Sequence, residues 1–106
     1  MKRLEIRKVI NGKAYDTTTA ERVALIEFKN LGRSDFHWER TDIYKTEKGQ
    51  WFIAGEGGAC SSWSSRDPDG GANEGYGITL LDPDEAREML EYADGPIESY
   101  FEIEEG

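Results

Sequence analysis

A chain of 106 residues with 22 acids against 13 lysines and arginines carries a formal net charge of −9, which leaves room for one modest core and argues against a direct grip on nucleic acid. At 37% hydrophobic residues it holds too much apolar material to stay disordered, and no apolar run approaches the ~20 residues of a membrane span. The single cysteine, Cys60, excludes an internal disulfide, so the setting expected is a reducing one, the cytoplasm, with neither export nor membrane insertion.

The opening alternates Leu4 and Ile6, then Val9 and Ile10, reaches Asn11-Gly12 and resumes at Ala14 and Tyr15. Asn-Gly between such runs predicts two short strands joined by a tight turn. Thr18 and Glu21 stand at capping-box spacing, and Ala20, Val23, Ala24, Phe28 and Leu31 recur near the helical period. That pattern predicts an amphipathic helix from Thr19 to Phe28, stopped by Asn30-Leu31-Gly32. Phe36 to Thr46 and Trp51 to Ala54 are rich in aromatic and β-branched residues, and Glu47-Lys48-Gly49-Gln50 between them predicts a second hairpin.

The Gly/Ser-rich stretch over about 55–77, with Asp67-Pro68-Asp69-Gly70-Gly71 inside it, reads as a long irregular loop that leads into a short strand, Tyr76 to Leu81. Asp82-Pro83-Asp84-Glu85 then combines an N-cap, a proline at the first helical position and a reciprocal glutamate. Ala86, Met89, Leu90 and Ala93 continue it at i, i+3, i+4 and i+7, a helix from Pro83 to Ala93. Asp94-Gly95-Pro96 ends it, and Ile97, Tyr100 and Phe101 predict one more short helix before an acidic end. The expected fold is a single α+β domain over 1–106, an antiparallel sheet of about four or five strands with two or three helices packed on one face.

Several residue groups suggest chemistry. Gly55-Glu56-Gly57-Gly58 lacks the Gly-Lys-Ser/Thr ending of a phosphate loop, and Glu56 would repel phosphate, so a tight backbone turn is expected. Asp67, Asp69 and Asn73 place oxygens at short intervals, but a calcium loop begun at Asp67 would need glycine where Ala72 stands. Cys60 and His37 are each alone of their kind, and a nucleophilic pair would have to be built from these two. A stacking platform for single strands from Phe36, Trp38, Tyr44, Trp51, Phe52 and Trp63 needs a positive groove, whereas Arg33, Arg40, Lys45, Lys48 and Arg66 are balanced by acids. The expectation is a protein without a catalytic site, metal or cofactor.

The charge is unevenly spread. Twelve acids balance twelve bases over residues 1–81, while 82–106 hold ten acids and only Arg87, which accounts for the whole −9. The predicted helix spends its apolar stripe inward and leaves Asp84, Glu88 and Glu91 outward, extended by Asp82, Glu85, Asp94, Glu98 and Glu102. Successive charges advance about 6 Å per four residues, comparable to the ~7 Å of two phosphate steps. An acidic ridge of this kind matches a basic groove made for nucleic acid. The bland alternative is that the acids serve solubility alone.

The run Val9-Ile10-Asn11-Gly12-Lys13-Ala14-Tyr15-Asp16-Thr17-Thr18-Thr19-Ala20, with Trp51-Phe52-Ile53-Ala54-Gly55-Glu56-Gly57-Gly58 and Asp82-Pro83-Asp84-Glu85-Ala86, resembles small acidic accessory proteins of bacteriophages and integrative mobile elements, over roughly residues 6 to 95. The resemblance implies life in a bacterial host, a setting that includes anti-CRISPR proteins, and no contact residue carries over from it. The function expected is a non-enzymatic inhibitor that blocks target DNA recognition by a CRISPR-Cas effector complex, its acidic ridge mimicking DNA. The alternative is a mobile-element adaptor that binds a host protein through its aromatic hairpin and Gly-rich loop, with Trp38, Trp63 and Glu56 as contacts.

Overall fold

The protein is described from a computed structural model that places residues 4–29 and 36–103. Lys2, Arg3, the predicted helix stop at Asn30-Leu31-Gly32, Arg33 and the closing Glu104 and Glu105 lie outside those residues.

β1 (Arg7–Ile10) and β2 (Lys13–Asp16) form the expected N-terminal hairpin, with Arg7 opposite Asp16 and Ile10 opposite Lys13. Asn11 and Gly12 both take positive φ, 53° and 78°, the conformation a two-residue hairpin turn needs. Asp16 then holds the next turn. The Thr18 N–H and hydroxyl both donate to its Oδ1, at 2.8 and 2.6 Å, and the Ala20 N–H reaches its carbonyl at 3.0 Å. Thr17 is fully buried; its hydroxyl donates to the Leu4 carbonyl at 2.9 Å and accepts the Ile6 N–H at 3.0 Å.

The segment expected to be the first helix is a strand. β3 (Glu21–Lys29) pairs antiparallel with β4 (Glu39–Lys45), β4 with β5 (Trp51–Gly57), and β5 with β8 (Gly75–Leu81), in the order β3-β4-β5-β8. Between them, Ser65–Arg66 (β6) and Ala72–Asn73 (β7) form a separate two-stranded ribbon inside the stretch read as irregular loop. The error at β3 has a physical cause. Its register with β4 shifts between Arg22 and Ala24 and again between Leu25 and Glu27, leaving Val23 and Ile26 as extra residues. Two bulges three residues apart break the period of two, so Val23, Ala24 and Ile26 all reach the same core and imitate the spacing of a helix.

Only one α-helix exists among the described residues, α1 (Pro83–Tyr92), so the expected two or three helices packed on a sheet are overturned. The 97–101 segment makes a single turn, with the Tyr100 and Phe101 N–H groups both on the Ile97 carbonyl, and does not extend to a helix. The start of α1 follows the predicted chemistry: the Glu85 N–H donates to Asp82 Oδ1 at 2.8 Å and the Asp82 N–H to Glu85 Oε1 at 2.9 Å.

The sheet carries a core on each face. On one, Tyr15, Ile6 and Ile10 of the N-terminal segment pack on Tyr44, Phe52, Ala54, Ile78 and Leu80, with the Tyr44 and Phe52 rings stacked at 5.1 Å. On the other, Ala86 and Leu90 of α1 join Ile43 and Trp51, and Tyr100 and Phe101 close over Trp51 with ring centroids 5.5 and 5.3 Å away. Leu90 is fully buried, so Leu90→Ala is expected to cost about 3 kcal/mol, read as a lowered urea midpoint with unchanged slope.

Candidate functional site

The eight acids of the proposed ridge divide into two groups once their surroundings are known. Asp82 and Glu85 cap the helix on each other's backbone, and Asp84 and Glu85 lie in its first turn, where the positive end of the helix dipole favours carboxylates. Asp94 takes φ 58°, a left-handed turn that aspartate tolerates better than most side chains. Helix physics accounts for these four.

It does not account for Glu88 and Glu91. Both are exposed; Glu88, at the middle of α1, has Asp84, Glu85 and Glu91 as like-charged neighbours one turn away, and Glu91 stands in the last turn, where the dipole favours cations and no base is present. The Glu91 carboxylate raises the helix free energy by about 0.3–1 kcal/mol, and each like-charge pair made by Glu88 adds about 0.2–0.5 kcal/mol. Arg87 lies 3.6 Å from Asp84 and 3.7 Å from Glu91, exposed pairs worth a few tenths of a kcal/mol. Among the described residues no cation pairs with Glu88. Glu98 and Glu102 are exposed on the segment that Tyr100 and Phe101 pin to Trp51.

Tyr92 was missed by sequence reasoning. It is 81% exposed, one helical turn beyond Glu88, and outside the Ala86, Met89, Leu90, Ala93 stripe, a large ring in solvent beside two unexplained acids. Its position off the apolar stripe is the signal that could have found it.

The secondary residues sit elsewhere. Trp38 is 7% exposed and belongs to the interior. Trp63 folds back over the sheet: its indole N–H donates to the Thr41 hydroxyl at 2.7 Å, and its ring lies on Gly55 and Gly77. A Cβ at Gly55 would stand 2.2 Å from the Trp63 Nε1, and one at Gly57 would stand 2.2 Å from the Ser61 hydroxyl. Gly55-Glu56-Gly57-Gly58 is therefore a seat for the returning 59–64 loop. Glu56 alone of this motif presents a side chain, on the opposite face and in register between Arg40 and Tyr76. On that face Arg22 and Arg40 both clamp the buried Asp42, at 2.9 and 3.1 Å.

Of the aromatic platform, Trp38, Tyr44, Trp51 and Phe52 are buried, leaving Phe36 exposed and Trp63 half-buried. Cys60 is exposed, and its N–H donates to the carbonyl of Phe36, the residue before His37, at 2.7 Å. Asp67 accepts the Asn73 amide at 2.8 Å and Asp69 the Gly71 N–H at 3.3 Å, both inside the β6–β7 turn. Among the described residues no three His, Cys, Asp or Glu side chains gather to hold a metal. A cleft of about 510 Å3 between the N-terminal hairpin and the β4–β5 turn sets Lys13 and Lys48 against Asp16 and Glu47, with no net charge to select a ligand. No helix among the described residues is long and apolar enough to cross a membrane.

Two groups have displaced pKa values. The Thr18 hydroxyl and N–H hold the Asp16 carboxyl below its ordinary 3.8, so its contribution to stability is present above that pH and is lost as pH falls through the lower folded value. Tyr100 donates its hydroxyl proton to Glu21, and that bond, with burial and the carboxylate charge, raises its pKa above 10.0. Its contribution is present below pH 10 and is lost as pH rises through the folded value. Tyr100→Phe is expected to flatten the alkaline arm of a stability-against-pH curve and leave the acid arm unchanged.

Comparison with known proteins adds no relative: no family model matches the chain, and no curated protein or solved structure is significantly similar to it.

Proposed function

We propose that this protein is a non-enzymatic binding protein whose α1 face occupies a basic, nucleic-acid-binding surface of another protein. The observation that carries the reading is the pair Glu88 and Glu91, Glu88 set among like charges at mid-helix and Glu91 in the last turn against the dipole, beside the exposed ring of Tyr92. Solubility alone is served by acids anywhere on the surface, including the first turn, where they also stabilise the helix. Acids set where they destabilise the helix, Glu88 among like charges and Glu91 in the last turn, are better explained by a partner that compensates them.

The partner nominated is a CRISPR-Cas effector complex in a bacterial host, on the strength of the resemblance of the Asn-Gly-Lys and Gly-Glu-Gly-Gly runs to phage accessory proteins. Its DNA channel is lined by lysine and arginine to track a phosphate backbone, the charge pattern that a row of carboxylates complements. Opposite charge would steer encounter and make the complex sensitive to ionic strength. Binding of the purified protein to effector complexes of defined types, followed by interferometry, is expected to weaken by roughly tenfold or more between low and high salt. Affinity that does not move with salt would remove the electrostatic mechanism.

A further inference from the structure

The second bulge of β3 has a consequence on the surface of α1. Because Ile26 is the extra residue there, its side chain turns towards the helix side of the sheet and packs at the edge of the Leu90 core. Ile26 and Met89 form the floor of a shallow cleft of about 360 Å3, and Glu85, Glu88 and Tyr92 supply the rest of its lining. The floor is apolar and half-buried, while the two carboxylates and the ring are exposed.

That combination is selective in chemical terms. An aliphatic side chain would cover the floor, yet it would also draw water away from Glu88 without pairing it. A lysine offers a matching stem but a compact, strongly hydrated ammonium that bonds at a point. A guanidinium is planar, carries five donors, binds carboxylates side by side and stacks on an aromatic ring. Glu85 spends one oxygen on the Asp82 N–H and keeps the other, whereas Glu88 has no cation beside it among the described residues. Arg87 cannot fill the role, since its guanidinium is directed at Asp84 and Glu91.

We infer that this cleft receives an arginine side chain of the partner protein, its stem on Ile26 and Met89 and its guanidinium between Glu88, Glu85 and the Tyr92 ring. The inference rests on the reading of α1 as the binding face and deepens it: the partner's surface presents an arginine at the centre of its basic patch, and the cleft anchors it.

The test uses the full chain labelled at its isoleucine and methionine methyl groups, titrated with N-acetyl-arginine amide, N-acetyl-lysine amide and N-acetyl-citrulline amide. The arginine probe is expected to shift the Ile26 and Met89 methyls saturably, the lysine probe to bind about threefold more weakly, and the uncharged citrulline probe to shift neither. Glu88→Gln and Tyr92→Leu should each weaken the arginine probe by about two- to fivefold, while both variants stay folded because neither side chain is buried. Equal, unsaturable shifts from the arginine and lysine probes, or an unchanged response in Glu88→Gln, would overturn the cleft. The binding-face reading is judged separately. If the probe fails while reversing Glu88 and Glu91 still abolishes partner binding, the cleft is wrong and the acidic face stands. If the probe binds while that reversal leaves partner binding intact, the face is wrong and with it the partner's arginine.

Discussion

Gly55→Ala is expected to destabilise the protein by about 2–4 kcal/mol. The new Cβ would lie 2.2 Å from the Trp63 Nε1 and 2.5 Å from the Arg40 carbonyl oxygen. The indole could swing away, but the carbonyl belongs to the neighbouring strand and cannot. Relieving the clash breaks the Trp63 to Thr41 hydrogen bond and leaves the buried Thr41 hydroxyl without that partner. Overpacking of this kind costs about 1–3 kcal/mol, and the lost bond adds about 1. Gly12→Ala gives the contrast. Nothing lies within 4 Å of a Cβ there, so only the strain of its φ of 78° opposes the change, about 1 kcal/mol. Chemical denaturation of the two variants, with tryptophan fluorescence as the probe, separates a packed glycine from a conformational one. Equal, small losses would mean that the Gly-Glu-Gly-Gly run is not a seat for Trp63.

Reversing both acids, Glu88→Lys with Glu91→Lys, is expected to weaken partner binding about 100-fold, since like charges brought together across an interface cost several kcal/mol. The same change should leave the fold at least as stable, because a lysine at 91 suits the helix dipole and one at 88 faces Asp84 and Glu85 one turn earlier. A variant that gains or keeps stability and loses binding cannot be explained by damage to the fold. Asp82→Ala is the matched control, at a capping acid that does not line the cleft. It removes one half of the capping box, and about 1 kcal/mol of stability should go with it. If Asp82→Ala and the double reversal affected binding and melting alike, the division of the ridge into capping acids and contact acids would be wrong.

The sequence announced those parts of the fold whose cause is local. Asn11-Gly12 fixes a turn through two positive φ angles, and Asp82-Pro83 with Glu85 starts a helix through its own side chains, so both could be read from neighbouring residues. β3 could not, because two bulges gave a strand the apolar spacing of a helix, and only pairing with β4 decides between them. The 55–77 stretch was opaque for a different reason. Glycine signals freedom when read alone, whereas Gly55 and Gly77 are empty on one side so that Trp63 can fill the space. The acids at the C-terminal end were visible as a charge imbalance, though which of them cap the helix needed the helix ends. The cleft beside them was invisible, since Ile26 reaches it only through a bulge.

The measurement that bears most directly on the binding face is phage plaquing on hosts carrying defined CRISPR systems, each expressing this protein or the Glu88→Lys, Glu91→Lys double variant at matched levels. The account predicts restored plaquing in one CRISPR type with the native chain and none with the double variant. Equal rescue by both proteins, or no rescue in any type, would contradict it.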